Sequence, residues 1–442
     1  MGVGRLPDGR VVFVPRTAPG DLLEAEPVRS GKRWLRARPV RILESGPGRV
    51  EPPCPLFARC GGCQLQHLSG EVQVEAKELI IVDALTRIGG LGALPRIEMH
   101  PAPAPLHYRS RVAFTLRRPG RHGVVAGFHE EDRPGRILDV DDCCLLPEPV
   151  LLRGWRGLRR SWGKGARRLP PGRELRLTLR AVSEAEFVLM VEGGDGPSGG
   201  ETTEQGGCRL VRDVPGLAAI WHRPGRGEGW TLIAGEGALG EVRQGETVPV
   251  RPGAFVQVNR AGSELLHGLT LGEVGEVEGA RVVDAYCGVG FYGRRLAAGG
   301  ARVTGIELDP EAVGIARSLA TSPTGDARVA WGGAPDGLAA IPRSGSFELL
   351  EGRVEERLSE ALPADLVLLN PPRGGVAGGV MEALAGARPS KIIYVSCDPA
   401  TLARDLARLG AGYHVARVQG VDLFPQTAHV ETVVTLNAEQ EG

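Results

Sequence analysis

The sequence of 442 residues predicts a multidomain α/β protein whose C-terminal part is an open, doubly wound parallel sheet. Two observations predict this fold class. Short runs of alternating apolar and polar residues, broken by Gly and Pro, fill the chain up to about residue 250. After residue 250, strand-like runs alternate with helix-like runs, a pattern typical of parallel sheets covered by helices. We therefore predict domains at 1–48, 49–250 and 251–442.

The first two domains are predicted to be rich in β-strands. Residues 1–48, with runs such as "RVVFVP" and "RWLRARPVRILE", indicate a small β-barrel or sheet. In residues 49–250, a Ser cap and a Gly stop predict a helix at 69–92, which packs on either the central or the C-terminal domain. The Gly- and Ser-rich run at 193–207 predicts a flexible surface excursion.

Composition excludes several classes of protein. A hydrophobic content of 42% with 24% charged residues is typical of soluble globular proteins. No run of about 18 apolar residues occurs, so we expect no transmembrane helix and no membrane partner. The N-terminus has an early Asp and no long apolar run, which is unlike a secretory signal. We expect a cytoplasmic monomer, in which cysteines serve metal binding or catalysis.

The formal net charge of +0 hides two basic runs that contain tryptophan, at 28–42 and 153–168. Cations interleaved with flat rings suit a phosphate backbone and unstacked bases. A solvated basic face is the alternative, and the two runs alone do not decide between them.

A glycine-containing turn at 287–291 predicts a cofactor site in the C-terminal domain. It follows the strand "RVVDAY", and the next strand, "RVTGIE", ends in Glu307, which suits the hydroxyls of a ribose. The dinucleotide pattern GxGxxG is incomplete, whereas D-x-x-x-G-x-G with a later acid is typical of S-adenosylmethionine enzymes. The loop Asn370-Pro-Pro-Arg373 follows another strand and is predicted at the same edge of the sheet.

Eight cysteines are present, and three of them form a C-x5-C-x2-C cluster: Cys54, Cys60 and Cys63. Four thiolates would hold an iron–sulfur cluster or a tetrahedral zinc ion, and the spacing leaves both open. Cys143 or Cys144 supplies a fourth ligand, and the other is a bystander. Cys397 stands apart, between a strand and a helix, as a packed thiol, a ligand or a nucleophile.

Several segments, in order along most of the chain, resemble the RNA 5-methyluridine (uracil-C5) methyltransferases, the TrmA/RumA-like family. The matching runs are "CPLFARCGGCQLQH", "FVQVN", "DAYCGVG", "GIELD", "NPPRGG", "VSCDPATLARDL" and "HVET". The resemblance implies an N-terminal TRAM domain, which binds RNA, and a Rossmann-like class I S-adenosylmethionine-dependent methyltransferase domain. It also implies a [4Fe-4S] cluster and an RNA substrate. We expect structured 23S rRNA, with tRNA as the alternative.

The resemblance also implies roles for individual residues. Cys397 is expected to be the nucleophile and Glu431 the base. The fourth cluster ligand is expected to be Cys143, because "ILDVDDC" matches the family up to its ligand. The residues expected at the S-adenosylmethionine site are Gln257, Tyr286, Gly288, Gly290, Phe291, Glu307 and Asn370.

Two positions depart from the family pattern. Asn370 stands where the family usually has Asp, and Phe291 where it often has Asn or Thr. One alternative is therefore an RNA-binding protein of this fold with reduced or lost turnover. Another is an amino-group methyltransferase, in which Asn-Pro-Pro is common, although such enzymes need no counterpart of Cys397.

Overall fold

The structure is a computed structural model that describes residues 1–120, 123–141, 144–194, 203–225, 227–243, 246–253, 256–321 and 345–439. Among these residues, we find no helix with the length and apolar character that a membrane crossing requires.

The N-terminal sheet has four strands, β1 (Gly2–Arg5), β2 (Val11–Val14), β3 (Leu22–Ser30) and β4 (Trp34–Glu44). Their order is β1-β2-β4-β3, so β1 and β3 form the edges of a small sheet, the second of the two arrangements that the sequence indicates. Strand β3 is exposed along nearly its whole length. The chain then passes through the cysteine-containing segment into helix α1 (Gly70–Asp83) and strand β5 (Ile97–His100).

The central sheet has seven strands in the order β12-β11-β10-β9-β6-β7-β8. They are β6 (Arg111–Arg117), β7 (Val125–His129), β8 (Ile137–Asp139), β9 (Glu174–Ala181), β10 (Phe187–Glu192), β11 (Leu217–Arg223) and β12 (Thr231–Gly235). Helix α2 (Pro149–Ser161) precedes β9, and helix α3 (Thr203–Asp213) joins β10 to its parallel neighbour β11. A hairpin of β13 (Gly240–Arg243) and β14 (Glu246–Pro249) follows.

The structure bears on two interpretations of this central region. Most of the excursion predicted at 193–207 lies outside the described residues, and its last five residues belong to α3, where Gly206 is buried against the backbone of Arg168. The tryptophans at 153–168 do not lie open to bases. Trp155 is 1% exposed and stacks on Phe114 at 3.9 Å, and Trp162 is 7% exposed. Their apolar area stabilises the core of this sheet instead.

The C-terminal sheet has eight strands in the order β17-β16-β15-β18-β19-β21-β20-β5. Its first half contains α4 (Arg260–Val274), β15 (Arg281–Ala285), α5 (Phe291–Ala298), β16 (Arg302–Glu307), α6 (Pro310–Thr321) and β17 (Ser346–Glu351). Its second half contains α7 (Val354–Ala361), β18 (Leu366–Leu369), α8 (Gly378–Ala387), β19 (Lys391–Ser396), α9 (Pro399–Leu409), β20 (Tyr413–Val421) and β21 (Glu431–Ala438).

Strands β15 to β19 of this sheet run parallel, whereas β21 runs antiparallel between β19 and β20. The sheet is buried on both faces: Val283 contributes to one apolar core and its neighbour Val282 to the other. The sequences of strands that are covered on both faces are nearly continuous apolar runs.

Residues from the predicted central domain also contribute to the C-terminal sheet. Strand β5 pairs in parallel with β20 at the edge of the sheet. Helix α1 packs through Ile81 into the same apolar core as Val283, which answers where the helix predicted at 69–92 packs. The predicted boundary at 250 therefore does not separate the two sheets.

The ring of Phe347 on β17 fills a space that only glycines leave open. A Cβ atom would lie 2.3 Å from this ring at Gly293, 2.7 Å at Gly290 and 2.8 Å at Gly305. The ring thus packs the first turn of α5 directly against β16 and β17.

We predict that Gly293→Ala lowers the free energy of unfolding by roughly 1–3 kcal/mol, because its methyl group overlaps a packed ring. The matched control is Gly314→Ala in α6, where nothing lies within 4 Å of the added Cβ. That change should stabilise the protein by up to about 1 kcal/mol through helix propensity. Urea unfolding of both variants measures the difference. A Gly293→Ala protein as stable as the Gly314→Ala protein would contradict the packing described.

Candidate functional site

The carboxyl ends of three parallel strands meet at one edge of the C-terminal sheet. Ala285, the last residue of β15, pairs with Leu369, the last residue of β18. Leu369 pairs with Tyr394, and β19 continues for two more residues to Ser396. The next residues along each strand are Tyr286, Asn370 and Cys397. In open α/β sheets, ligands bind at this edge.

Strand β21 brings a carboxyl group to the same edge from the opposite direction. Because β21 is antiparallel to β19, its second residue, Thr432, pairs with Ser396. Glu431, the first residue of β21, therefore lies opposite Cys397, the residue that follows β19. Glu431 is 3% exposed, and the Cys397 side chain is half-buried.

Burial and charge set the acidity of these two groups. Burial raises the pKa of Cys397, the neighbouring Glu431 charge raises it further, and the Arg373 guanidinium lowers it. Burial raises the pKa of Glu431 to about 7, and Arg373 opposes this shift. The pair thus combines a potential nucleophile with a carboxyl group that gains or loses a proton near neutral pH.

Helix α9, which follows Cys397, holds the loop that carries Arg373. Thr401 Oγ1 donates to the Arg373 carbonyl at 3.2 Å, and an Arg404 guanidinium nitrogen donates to the Gly374 carbonyl at 2.8 Å. The buried Asp405 carboxylate accepts from Val376 N at 3.0 Å. The sequence indicates that the run "SCDPATLARDL" is functional, but it does not show that this run holds the Arg373 loop, because the contacts join residues about 30 positions apart.

The glycine turn has the shape of a ligand cradle. Gly288 has a φ of 56° and Gly290 a φ of 74°, so both backbones favour glycine. At Gly288 nothing lies within 4 Å of a built Cβ atom, which leaves room for a ligand. One Glu307 carboxylate oxygen accepts from Gly288 N at 2.9 Å, and the other accepts from Leu308 N at 2.8 Å. The turn and the acid are therefore fixed together beside open space.

Tyr286 and Asn370 both lie beside this cradle. Tyr286, the residue after β15, is half-buried with a φ of 63°. Asn370 is exposed, and its backbone N–H donates to the Ala285 carbonyl at 3.3 Å.

Phe291 and Gln257 have surroundings that the sequence did not indicate. The Phe291 ring stacks on His267 at 4.2 Å, and the Arg295 guanidinium lies 3.7 Å from its centroid, so both its faces contact protein. Gln257 precedes Val258, whose carbonyl accepts from Ser110 N at 2.7 Å, where the central sheet meets the start of α4. Phe255 of the same run lies outside the described residues.

A separate cavity of ≈ 370 Å³ lies between the cysteine-containing segment and the central sheet. Cys54, Cys60, Cys63 and Cys144 all line it. Burial raises the pKa of Cys63 to about 11 and that of Cys144 to about 12. Such thiols become thiolates when a metal binds them.

In the part of the chain that it describes, the structure does not show the metal site that the sequence predicts at these cysteines. Within the described ranges, we find no group of three or more His, Cys, Asp or Glu side chains placed to hold a metal ion. Cys143, the expected fourth ligand, lies outside those ranges, whereas its neighbour Cys144 lines the cavity.

Comparisons with known proteins agree with this geometry. The sequence profile of the tRNA (Uracil-5-)-methyltransferase family matches residues 250–439. An uncharacterized RNA methyltransferase of Gloeobacter violaceus is 33% identical, over 98% of this chain and 93% of the relative. The 23S rRNA (uracil(1939)-C(5))-methyltransferase RlmD of Chromohalobacter salexigens is 31% identical, over 99% of this chain and 87% of the relative.

The fold is also found among solved structures. One of them is the Pyrococcus abyssi tRNA (uracil-54, C5)-methyltransferase in complex with S-adenosyl-L-homocysteine, with a TM-score of 0.69 and 24% identity. The match covers 98% of this chain and 97% of that chain. The chain therefore shares a methyltransferase fold with mixed α/β sheets.

We predict that Arg373→Gln slows alkylation of Cys397 by iodoacetamide at pH 8. The guanidinium lowers the pKa of this thiol, so its removal reduces the thiolate fraction and slows the reaction severalfold. Mass spectrometry of the Cys397 peptide measures the rate. The control is Arg281→Gln at the amino end of β15, the opposite edge of the sheet. Equal rates in the two variants would refute the electrostatic role of Arg373.

Proposed function

The chain belongs to the family of RNA methyltransferases that modify carbon 5 of uracil, and from this we propose how its residues carry out S-adenosylmethionine-dependent methylation of a uridine in RNA. One observation carries the proposal. The pairing of β19 with β21 puts a thiol and a buried carboxyl group side by side at the edge that also holds the glycine turn.

Cys397 is proposed to start the reaction. Its thiolate adds to carbon 6 of the uracil ring, which makes the ring an enolate with electron density at carbon 5. Covalent catalysis of this kind replaces one difficult step by easier ones. S-Adenosylmethionine supplies the methyl group that carbon 5 attacks, and S-adenosylhomocysteine leaves.

Glu431 is proposed to complete the reaction. Its carboxylate takes the proton from carbon 5, the electron pair of that bond restores the ring double bond, and the Cys397 thiolate leaves. The net reaction converts uridine to 5-methyluridine and releases one proton. With a pKa of about 7, Glu431 is largely ionised just above neutral pH and still basic enough to accept this proton.

The cradle at Gly288 and Glu307 fits S-adenosylmethionine. We propose that the cofactor lies over Gly288 and Gly290, with Glu307 towards the ribose and Tyr286, Asn370 and Gln257 around it. Phe291 would then support the turn through its contacts with His267 and Arg295. This role explains why a ring is acceptable where relatives often have Asn or Thr.

The thiol cavity is proposed to hold a [4Fe-4S] cluster. Four described thiols line it, and four thiolates suit either an iron–sulfur cluster or a tetrahedral zinc ion; the resemblance of "CPLFARCGGCQLQH" to the family's cluster-binding run supports the cluster. Cys54, Cys60 and Cys63 would bind it together with Cys143 or Cys144. The reaction contains no redox step, so the cluster would serve to order this segment.

The proposed substrate is structured 23S rRNA. The 31% identity to RlmD over most of both chains supports this choice, and the tRNA enzyme that shares the fold keeps tRNA as the alternative. The target nucleotide must leave its stack to reach a pocket at the edge of a sheet. The exposed Trp34 and the arginines of β4 offer an N-terminal, TRAM-like surface for RNA. We propose that the chain acts as a cytoplasmic monomer.

The substrate is tested with labelled S-adenosylmethionine and unmodified 23S rRNA or tRNA transcripts, followed by nucleoside analysis. We expect 5-methyluridine in 23S rRNA. The same product in tRNA alone would identify the alternative substrate. Methylated amino groups would identify an amino-group methyltransferase, and RNA binding without product would identify a protein that has lost turnover.

We predict opposite effects of two substitutions on covalent intermediates with ordinary RNA. Cys397→Ala should form no adduct and no product. Glu431→Gln should lose about 10²- to 10⁴-fold in turnover but accumulate a methylated adduct, because addition proceeds and proton removal does not. A denaturing gel measures both outcomes. An adduct in Cys397→Ala would show that another residue attacks the ring.

We predict that anaerobically purified protein contains iron and sulfide, on the order of four of each per chain. Cys63→Ser should lose them. Comparing Cys143→Ser with Cys144→Ser then identifies the fourth ligand, since only one of them should lose the cluster. Zinc without sulfide in the wild-type protein would refute the cluster.

A further inference from the structure

The segment that leads into Glu431, residues 422–427, is held by hydrogen bonds from four distant parts of the chain. We call it the pre-base segment. Four consecutive carbonyls of this segment accept hydrogen bonds. The Leu423 carbonyl accepts from Asn259 Nδ2 at 2.9 Å, and the Phe424 carbonyl accepts from Lys77 Nζ at 3.1 Å. The Pro425 carbonyl accepts from the Tyr108 hydroxyl at 2.9 Å, and the Gln426 carbonyl accepts from both Gln64 N at 2.9 Å and Leu65 N at 3.0 Å. Such a complete set of donors fixes the path of the backbone.

Gln426 is the most constrained residue of the pre-base segment. Its φ is 68°, in the left-handed region that non-glycine residues rarely adopt. Gln73 on α1 holds it there through a reciprocal pair. Gln426 N donates to Gln73 Oε1 at 3.0 Å, and Gln73 Nε2 donates to Gln426 Oε1 at 3.0 Å. Both side chains are buried.

The buried face of α1 is polar where packing alone would favour apolar residues. Its buried residues are Gln73, Lys77 and Ile81, spaced four apart. Lys77 is fully buried and forms an ion pair with Asp422, the first residue of the pre-base segment. Buried polar groups persist only when they are paired. Here the partners are Asp422, Phe424 and Gln426 of the pre-base segment, together with the Leu68 carbonyl, which accepts from Gln73 Nε2 at 3.0 Å.

The pre-base segment connects to Glu431 rather than to Cys397. Gln426 lies five residues before Glu431, whereas Cys397 directly follows β19, which is held by its own ladder. The Gln426 carbonyl, which accepts from Gln64 N and Leu65 N, also joins the cysteine-containing segment to this path. A loosened pre-base segment should therefore misplace the carboxylate and leave the thiol in position.

We propose that Gln73 is a positioning residue for Glu431: through Gln426 it fixes the pre-base segment, and its loss impairs proton removal from the adduct more than methyl transfer. The proposal rests on the proposed function, in which Glu431 is the base. It assigns to helix α1 a part in the second half of the reaction.

The test uses Gln73→Leu in the full-length, anaerobically purified protein with ordinary RNA and labelled S-adenosylmethionine. Single-turnover measurements separate methyl incorporation from release of methylated RNA. We expect release to slow roughly 10- to 100-fold, as for a small displacement of a reacting group, with methyl incorporation within about twofold of wild type. A covalent, methylated adduct should then accumulate on a denaturing gel.

The matched control is Gln419→Leu. Gln419 is also a buried glutamine with two side-chain hydrogen bonds, but its partners, His100 and Glu273, lie outside the pre-base segment. It should lose comparable stability and accumulate no adduct. Equal slowing of both steps in Gln73→Leu, or no change in either, would overturn the proposal, as would adduct accumulation in Gln419→Leu.

A second variant keeps the test decisive if Gln73→Leu does not fold. Tyr108→Phe removes only the hydroxyl that donates to Pro425. We expect the same selective slowing of release, to a smaller extent, and unchanged release would overturn the proposal. A wild-type protein that makes no 5-methyluridine would refute the proposed function itself, whereas an active wild type with a non-selective Gln73→Leu would refute only this inference.

Discussion

The antiparallel pairing of β21 with β19 is the interaction on which the candidate site depends. Ser396 pairs with Thr432, and this register puts Cys397 and Glu431 next to each other at the edge of the sheet. A slip of one residue would turn the side chains of β21 to the opposite face. The alternating faces of β21 are buried in two cores, through Val433 and Val434, so the apolar packing of the whole sheet enforces the register.

The electrostatics of the site follow from this geometry. Glu431 and Cys397 are both partly or wholly removed from water, which favours their neutral forms. Arg373 is the group that opposes the shift at both, and it is exposed, so its charge costs little to maintain. Helix α9 fixes the loop of Arg373 through Thr401, Arg404 and Asp405. The nucleophile and the cation that favours its thiolate are thus held by one helix.

The sequence predicts those parts of the structure that depend on local patterns. The strand, glycine turn and acid around Gly288 and Glu307 follow from local spacing, and so does the capping of α1 by Ser69. The position of β5 in the C-terminal sheet could not be predicted, because its partner β20 lies more than 300 residues later. The burial of Trp155 was missed because a basic, tryptophan-containing helix looks the same whether its rings face solvent or a core.

The candidate site is predictable to a similar extent. Cys397 and Glu431 are indicated by motifs, but their adjacency requires the sheet order. The sequence does not show why Gln73 and Lys77 are polar on the buried face of α1, because their partners lie about 350 positions later in the chain. Cys143 and Cys144 are adjacent in the chain, and neither spacing nor the lining of the cavity by Cys144 identifies which of them binds a metal.

The central claim is that Cys397 attacks the uracil ring. Its most direct test is to trap the protein on RNA that contains 5-fluorouridine, where fluorine cannot leave carbon 5 as a proton, and to map the attachment site by mass spectrometry. We predict that the Cys397 peptide carries the fluorinated nucleotide together with the transferred methyl group. Attachment at another cysteine, or no attachment to an RNA whose ordinary form is methylated, would contradict the mechanism.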